Sequence, residues 1–455
     1  MKKILGLLTI VVILGLGVPK MIGSIAVQNL ENFVITINDN DLGYVARIKN
    51  LDAGWFSTTA DIYFALDPTI YDAFAEVDVG VVAQHGPILT LNDWALGALA
   101  FRLETDKRTA RDVLTYSEEQ SLYQLEGHVN FLGTVSYFDS IPVFKYSSNE
   151  SSNSSRFGGW NGRGTSSKNK TIYQGEIYSS RDMRADGREL LMTSGTVSLN
   201  AQGSMLEIIS DPLLESTYQF GLGYFLYRDG SSNSDSFIEI DNTELKFFTG
   251  AGKDPSFVNL GFDFTIEGID VDIQKLFVAK AKDLTLKTEV KNIAIEPFIE
   301  LAYSDVEDPW ASDSVELLAL LQPSPEFNVT EISGNIVGQS FSGYLLAKYS
   351  DINSLPNKPD NILFWLSKVV IDAKMVLDKE LAYWLSEKFI SLSTPLSEFV
   401  EGEITSKARE EARDMIDGYM QVGILSETEG GDFEISFRLK DSEALLNGEV
   451  TPLPL

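Results

Sequence analysis

Two histidines, His85 and His128, are the only imidazoles in a chain of 455 residues. His85 stands in Val81-Val82-Ala83-Gln84-His85-Gly86-Pro87-Ile88, and His128 follows Glu126 in Leu125-Glu126-Gly127-His128. A metal site usually wants three or four ligands, and His85, His128 and Glu126 would supply two imidazoles and a carboxylate. With 66 acidic residues in the chain, some carboxylate falls near any histidine, so this grouping is weak. A corner is the better account of His85. Gly86 precedes a proline, which biases it to extended backbone, and Pro87 opens a new apolar run, so His-Gly-Pro suits a bend between two strands. A hydrolase acting through His85 needs a nucleophile and an orienting group as well. Gly338-Gln339-Ser340-Phe341-Ser342-Gly343 misses the nucleophile-elbow pattern, because Ser342 holds the last glycine position and a strand, not a helix, should follow. This stretch is expected to be a hairpin turn. Asp270 and Asp272 would share one face of a strand, which an exposed strand face does equally well. No catalytic residue, cofactor or metal ligand is assigned.

The elements that must position these residues are bounded by composition. No cysteine is present, which removes disulfides, thiolate metal sites and a cysteine nucleophile together. A net charge of -30 disfavours nucleic acid as a partner. Hydrophobic content of 44% and aromatic content of 11% are too high for a disordered acidic chain, so the acidity coats a folded body.

After Lys2 and Lys3, the apolar run Ile4 to Val18 covers roughly 22 Å as a helix, short of a hydrocarbon core of roughly 30 Å. Length alone suggests a signal peptide, and Ser24-Ile25-Ala26 offers a small-x-small cleavage site. Against this, Ile22, Ile25, Ala26, Leu30 and Phe33 keep helical spacing past Pro19-Lys20, as if a membrane helix continued into an amphipathic one. An uncleaved anchor is favoured, with its lysines in the cytoplasm and everything after residue 27 on the far side.

Period-2 alternation dominates the rest. Leu260, Phe262, Phe264 and Ile266 mark one face of a strand, and Gly268 then shifts the alternation to Ile269, Val271 and Ile273, which predicts a bulge or turn at Gly268. Further strands are read at 62–66, 196–209, 218–227, 237–248, 284–295, 328–336, 341–349 and 433–439. Helices are read at 91–99, 312–321, 378–392 and 403–419. The class is therefore α+β with long antiparallel sheets, an N-terminal transmembrane helix and a few further helices.

Between Tyr146 and Lys170, serine, glycine and asparagine dominate, which predicts a surface loop or linker. Arg156, Arg163, Lys168, Lys170, Arg181, Arg184 and Arg188 invert the global charge around it, either as a solvated face or as a patch for an anionic partner.

Several of these stretches together resemble the bacterial family known as DUF945, or YdgA-like. Gly54-Trp55-Phe56-Ser57 matches its Gly-x-Phe-Ser element, so Gly54, Phe56 and Ser57 are motif residues, and His85, Gly86 and Pro87 match its His-Gly-Pro element. The likeness resumes at 315–349, 371–374 and 408–412, and runs to the final strand at 433–439. The resemblance implies a protein anchored in the inner membrane with a periplasmic β-rich body, and it implies no activity.

Five parts are expected: an anchor or uncleaved signal (1–27), an N-terminal β-rich part with the His-Gly-Pro corner (28–145), a loop or linker (146–170), a central sheet (171–300) and a C-terminal α+β part (301–455). The expected function is a non-enzymatic binding or scaffold protein of the bacterial envelope. Its expected partners are the membrane, through one anchor, together with envelope proteins, lipid or further copies of itself. Two alternatives stay open: a lipid-binding or lipid-transfer protein with an apolar groove along its sheet, and an unrecognised hydrolase using His85.

Overall fold

The computed structural model describes residues 2–39, 43–67, 70, 76–111, 113–147, 153–211, 213–230, 236–273, 277–303, 315–350, 352–356, 361–393 and 403–452. The chain divides into two compact units, Met1–Gly221 and Leu222–Leu455. This boundary falls inside the stretch expected to form a central sheet.

The first unit opens with helix α1 (Lys2–Asp39). Strands follow as β1 (Tyr44–Ala53), β2 (Ser57–Leu66), β3 (Glu76–His85), β4 (Ile88–Leu89), β5 (Ala95–Leu96), β6 (Leu99–Thr105), β7 (Leu114–Thr115), β8 (Gln124–Val129) and β9 (Val135–Ile141). After these come β10 (Phe144–Ser147), β11 (Ser154–Phe157), β12 (Trp160–Ser166), β13 (Lys170–Met183), β14 (Glu189–Gln202), helix α2 (Met205–Ser210) and β15 (Ser216–Asp229), which carries the chain across the unit boundary. Strands β1, β2, β3, β6, β8, β9, β12, β13 and β14 pair antiparallel in that order. Period 2 gives this sheet an apolar face, and α1 lies on part of it. Val34 packs with Ala46, Ala60, Ile62 and Val81, and Leu30, Phe33 and Ile37 close the margins. Burying a valine, leucine, isoleucine or phenylalanine side chain stabilises by about 1.5 to 3 kcal/mol. Asn38 finishes the helix by bonding both backbone groups of Ala46, accepting from its N–H at 2.8 Å and donating to its carbonyl at 3.0 Å.

In the second unit the strands are β16 (Ser236–Ala251), β17 (Phe257–Ile273), β18 (Phe277–Ala294), β19 (Glu326–Ile336), β20 (Gln339–Tyr349), β21 (Val369–Leu377), β22 (Ser426–Glu427), β23 (Phe433–Lys440), β24 (Glu443–Leu446) and β25 (Glu449–Thr451). Neighbours from β16 to β21, then β23, β24 and β25, pair antiparallel, with β22 also on β23. Helices α3 (Ile295–Tyr303), α4 (Val315–Leu321), α5 (Ile362–Lys368), α6 (Lys379–Ser393) and α7 (Glu403–Gln421) complete it. Leu317, Leu321 and Ile352 form one small core; Ala382, Ile416, Leu425 and Phe433 form another under α6 and α7.

A β-rich architecture with long antiparallel sheets and a few helices is thus present, and four local expectations are corrected. First, residues 146–170 carry β11 and β12 in place of a loop or linker. Glycine there makes room for rings, as shown below. Second, 91–99 is no helix: β4 and β5 form a short hairpin, and the Gln84 side chain holds it by accepting from the N–H groups of Thr90 and Leu91 at 2.7 and 2.9 Å. Third, the strand expected to run to Ile209 stops at Gln202, because Ser204 and Glu207 form a capping box that starts α2. Fourth, β17 passes Gly268 without a bulge. Asp241 pairs with Gly268 and Thr243 with Ile266, in one unbroken register. Leu260 to Ile266 therefore face one side of the sheet, and Ile269, Val271 and Ile273 face the other.

Among the described residues, no helix is long and apolar enough to cross a membrane. The run Ile4 to Val18 is part of α1, and the side chains of residues 2–17 lie outside the described part.

Candidate functional site

Both family-like motifs meet at one corner of the first unit. The His85 backbone N–H donates to the Phe56 carbonyl at 2.7 Å, so the end of β3 is tied to the turn before β2. The His85 ring, 2% exposed, shares a hydrogen bond of 3.1 Å between Nε2 and Thr58 Oγ1. Gly54 crowds the same turn, since a Cβ there would sit 3.0 Å from the Ser57 carbonyl. Gly86 adopts φ +130°, a conformation that favours glycine, and it faces the ring of Pro19 in α1.

What covers the corner is helix α1. A Cβ on Gly23 would lie 2.5 Å from His85 Cε1 and 2.6 Å from Nδ1, so only glycine lets the helix approach this closely. Pro19 is among the most completely buried residues. Pro19, Gly23, Ala26, Leu30, Val34 and Ile37 follow the three- and four-residue spacing of one helix face. Ile25, expected on that face, is exposed instead.

The corner pairs an imidazole with a hydroxyl. Thr58 and His85 have the distance of a nucleophile and its base, yet Nδ1, where an orienting group belongs, is buried without a hydrogen-bond partner. Burial pushes the imidazole's pKa down; the Trp55 backbone opposes this and the Lys20 ammonium adds to it. His128 does not join the site. In register, His85 pairs with Leu99 and Leu99 with Val129, so His128, one residue away, points from the opposite face. Glu126 is taken by Arg102 at 3.5 Å. Among the described residues, no group of three metal-ligating side chains converges.

A second polar centre, which sequence reasoning missed, lies on the same face of the sheet further along. Asp139, 6% exposed, accepts from Trp160 Nε1 at 2.7 Å and from the Tyr173 hydroxyl at 2.9 Å. Tyr173 stacks on Tyr137 at 6.0 Å and on Trp160 at 6.3 Å between ring centroids. Each ring lies over a glycine: Trp160 over Gly175, Tyr173 over Gly162 and Tyr137 over Gly164, where an added Cβ would collide with the ring. Burial, with Asp139 beside them, pushes Tyr123 and Tyr137 up to about 12, and burial with the hydrogen bond to Asp139 raises Tyr173 as well. These phenols stay protonated; Tyr173 donates to the carboxylate, and the buried Tyr137 hydroxyl has no hydrogen-bond partner among the described residues. The traces in the sequence were glycines alternating with aromatic and polar residues in Trp160-Asn161-Gly162-Arg163-Gly164, a strand period hidden by composition.

Two further concavities bear on ligand binding. A polar trough of about 660 Å³ lies on the outer face of β9, β12, β13 and β14. In the second unit, an apolar cavity of about 360 Å³ is lined by Val290, Phe298, Leu320, Leu321, Phe327 and Tyr349, among others. Neither holds a nucleophile paired with a base. At the remaining sequence candidates, Val337 and Gly338 form a two-residue hairpin turn with φ of 56° and 86°, so Ser340 and Ser342 are strand residues beyond a turn. Asp270 pairs with Lys280 at 2.5 Å. Within the basic region, Arg181 pairs with Glu189, Arg184 with Asp182 and Arg188 with Asp186.

No curated protein and no solved structure matches the chain. The family model described as "Bacterial protein of unknown function (DUF945)" matches residues 1–454, and the chain therefore belongs to that family.

Proposed function

We propose that this protein is a membrane-anchored, non-enzymatic binding or scaffold protein of the bacterial envelope, with its body in the periplasm. The observation that carries this reading is the seat of α1 on the His85 corner. The apolar run Ile4 to Val18 and the buried residues Pro19 and Gly23 belong to one helix, so cleavage after Ala26 would remove part of the body's own packing. An uncleaved segment that is apolar at its start and docked at its end suits an anchor. A binding role is favoured over catalysis because the ring of His85 is covered by α1 and has no orienting partner at Nδ1. The test is the intact mass of the protein recovered from carbonate-washed bacterial membranes. Retention of the N-terminal segment in the membrane fraction supports the reading, and a soluble chain beginning near Val27 overturns it.

The apolar cavity of the second unit favours a second reading, lipid binding. Its volume is at the lower end for small-ligand pockets and its lining is almost wholly apolar. Native mass spectrometry after detergent-free purification decides it: co-purifying lipid lost on Leu321→Trp supports a lipid site, and a bare chain mass removes it.

A further inference from the structure

The strands that hold the Asp139 cluster on their inner face carry the polar trough on their outer face. Phe138, Arg163, Gln174 and Ser198 form one row in register across β9, β12, β13 and β14. At roughly 4.8 Å between strands, that row spans about 14 Å. Asn161 and Glu176 lie in the next row on the same face, and Tyr178 and Gln219 complete the rim.

Three features set this face apart from an ordinary solvated one. Two aromatic rings are presented outward, Tyr178 at 51% and Phe138 at 42% exposure. The first is held in place, because Asn161 Nδ2 donates to the Tyr178 hydroxyl at 2.9 Å. Around them, Arg163, Gln174, Glu176, Ser198 and Gln219 make no side-chain hydrogen bond or ion pair among the described residues. Elsewhere, cross-strand charges do find each other: Lys246 with Asp263, Lys287 with Glu331 and Lys374 with Glu434. Here Arg163 and Glu176, on adjacent strands one row apart, do not. The trough is also close to neutral, in a chain whose net charge is -30.

Planar amides, a guanidinium, a carboxylate and hydroxyls can donate and accept in pairs, and exposed ring faces offer an apolar platform. Adjacent hydroxyls on a ring whose faces carry C–H bonds are complementary to that combination. A polyanion would want more cations, and a lipid tail would want fewer polar groups. The cluster beneath stiffens the platform, since Trp160, Asp139 and Tyr173 tie β9, β12 and β13 together. We infer that this trough binds a neutral oligosaccharide of linked pyranose rings, stacked on Tyr178 and Phe138 and hydrogen-bonded by Arg163, Gln174, Glu176 and Gln219.

Isothermal titration and saturation-transfer NMR of the full chain with chitotetraose and with cellotetraose test it. Saturable binding to either probe is expected, with preference for chitotetraose if acetamido groups are read and for cellotetraose if free hydroxyls are. Tyr178→Ala and Arg163→Ala should each weaken it about tenfold, while melting temperature and circular dichroism stay as in the parent, because both side chains are exposed. No saturable binding at millimolar probe, or binding that neither variant weakens, overturns the proposal.

Discussion

The two buried polar centres of the first unit solve the same problem in opposite ways. Asp139 is satisfied by donors from its own sheet, Trp160 on β12 and Tyr173 on β13. His85 has one polar partner in the sheet, Thr58, and is sealed by a helix from outside it. The carboxylate therefore organises strands, and the imidazole organises the approach of α1. Both depend on glycine, but in different places: under the rings in the first case, and on the helix in the second. A buried polar residue thus marks where the backbone must come close, whether or not chemistry happens there.

Breaking each centre should show the difference. Gly175→Val is expected to have the largest effect, about 4 kcal/mol, because it overpacks the site and pushes Trp160 off Asp139. Chemical denaturation should record it. Asp139→Ala follows at about 3 kcal/mol, since it leaves the Trp160 and Tyr173 donors buried without an acceptor. Gly23→Leu should cost about 2 to 3 kcal/mol, and its signature is local: hydrogen exchange should rise over residues 19–38 and β1 while the β12–β13 ladder stays protected. Exchange that rises equally in both places would erase the distinction drawn here. His85→Ala should cost about 1 to 2 kcal/mol, mostly through the lost Thr58 bond and the space left under Gly23.

The smallest effect is that of pH. His85 is held below its ordinary value of 6.5, mainly by burial. The unfolded chain then takes up a proton before the folded one does. The stability conferred by the neutral ring is complete above about pH 6.5 and drains away as the pH falls below it, until the folded ring protonates too. Melting temperatures measured from neutral to mildly acid pH should fall more in the parent than in His85→Gln. Equal slopes would show that the ring is not kept neutral by its seat.

Much of the frame was legible from period and spacing. Alternation gave β16, β17, β20 and β23 within a few residues, helical spacing found α6 and α7, and the His-Gly-Pro corner was read from its residues, whereas its contact with the Gly-x-Phe-Ser turn was not. What stayed hidden depends on residues distant in sequence. Nothing near His85 announces Gly23, because the match is one of shape between a helix and a ring 62 residues apart. Glycine in β12 looked like flexibility because the rings that fill its space come from β9 and β13. At Gly268 the alternation was read correctly and its cause was not. A change of apolar side can mean an extra residue, or it can mean that the strand has different neighbours above and below.

That unbroken strand has a consequence for how this sheet tolerates change. Because Leu260 to Ile266 and Ile269 to Ile273 are greasy on opposite sides, the sheet has a seam running through Gly268 and its partners Asp241 and Lys282. Inserting one residue at the seam would bring all the greasy positions of β17 onto a single side, strip the opposite side of β17's share and break the match with both neighbours. Such an insertion is normally harmless in a hairpin turn, yet here it would rewrite which surfaces of the unit are wettable. The seam fixes the reading frame of the sheet, and glycine marks where that frame turns over.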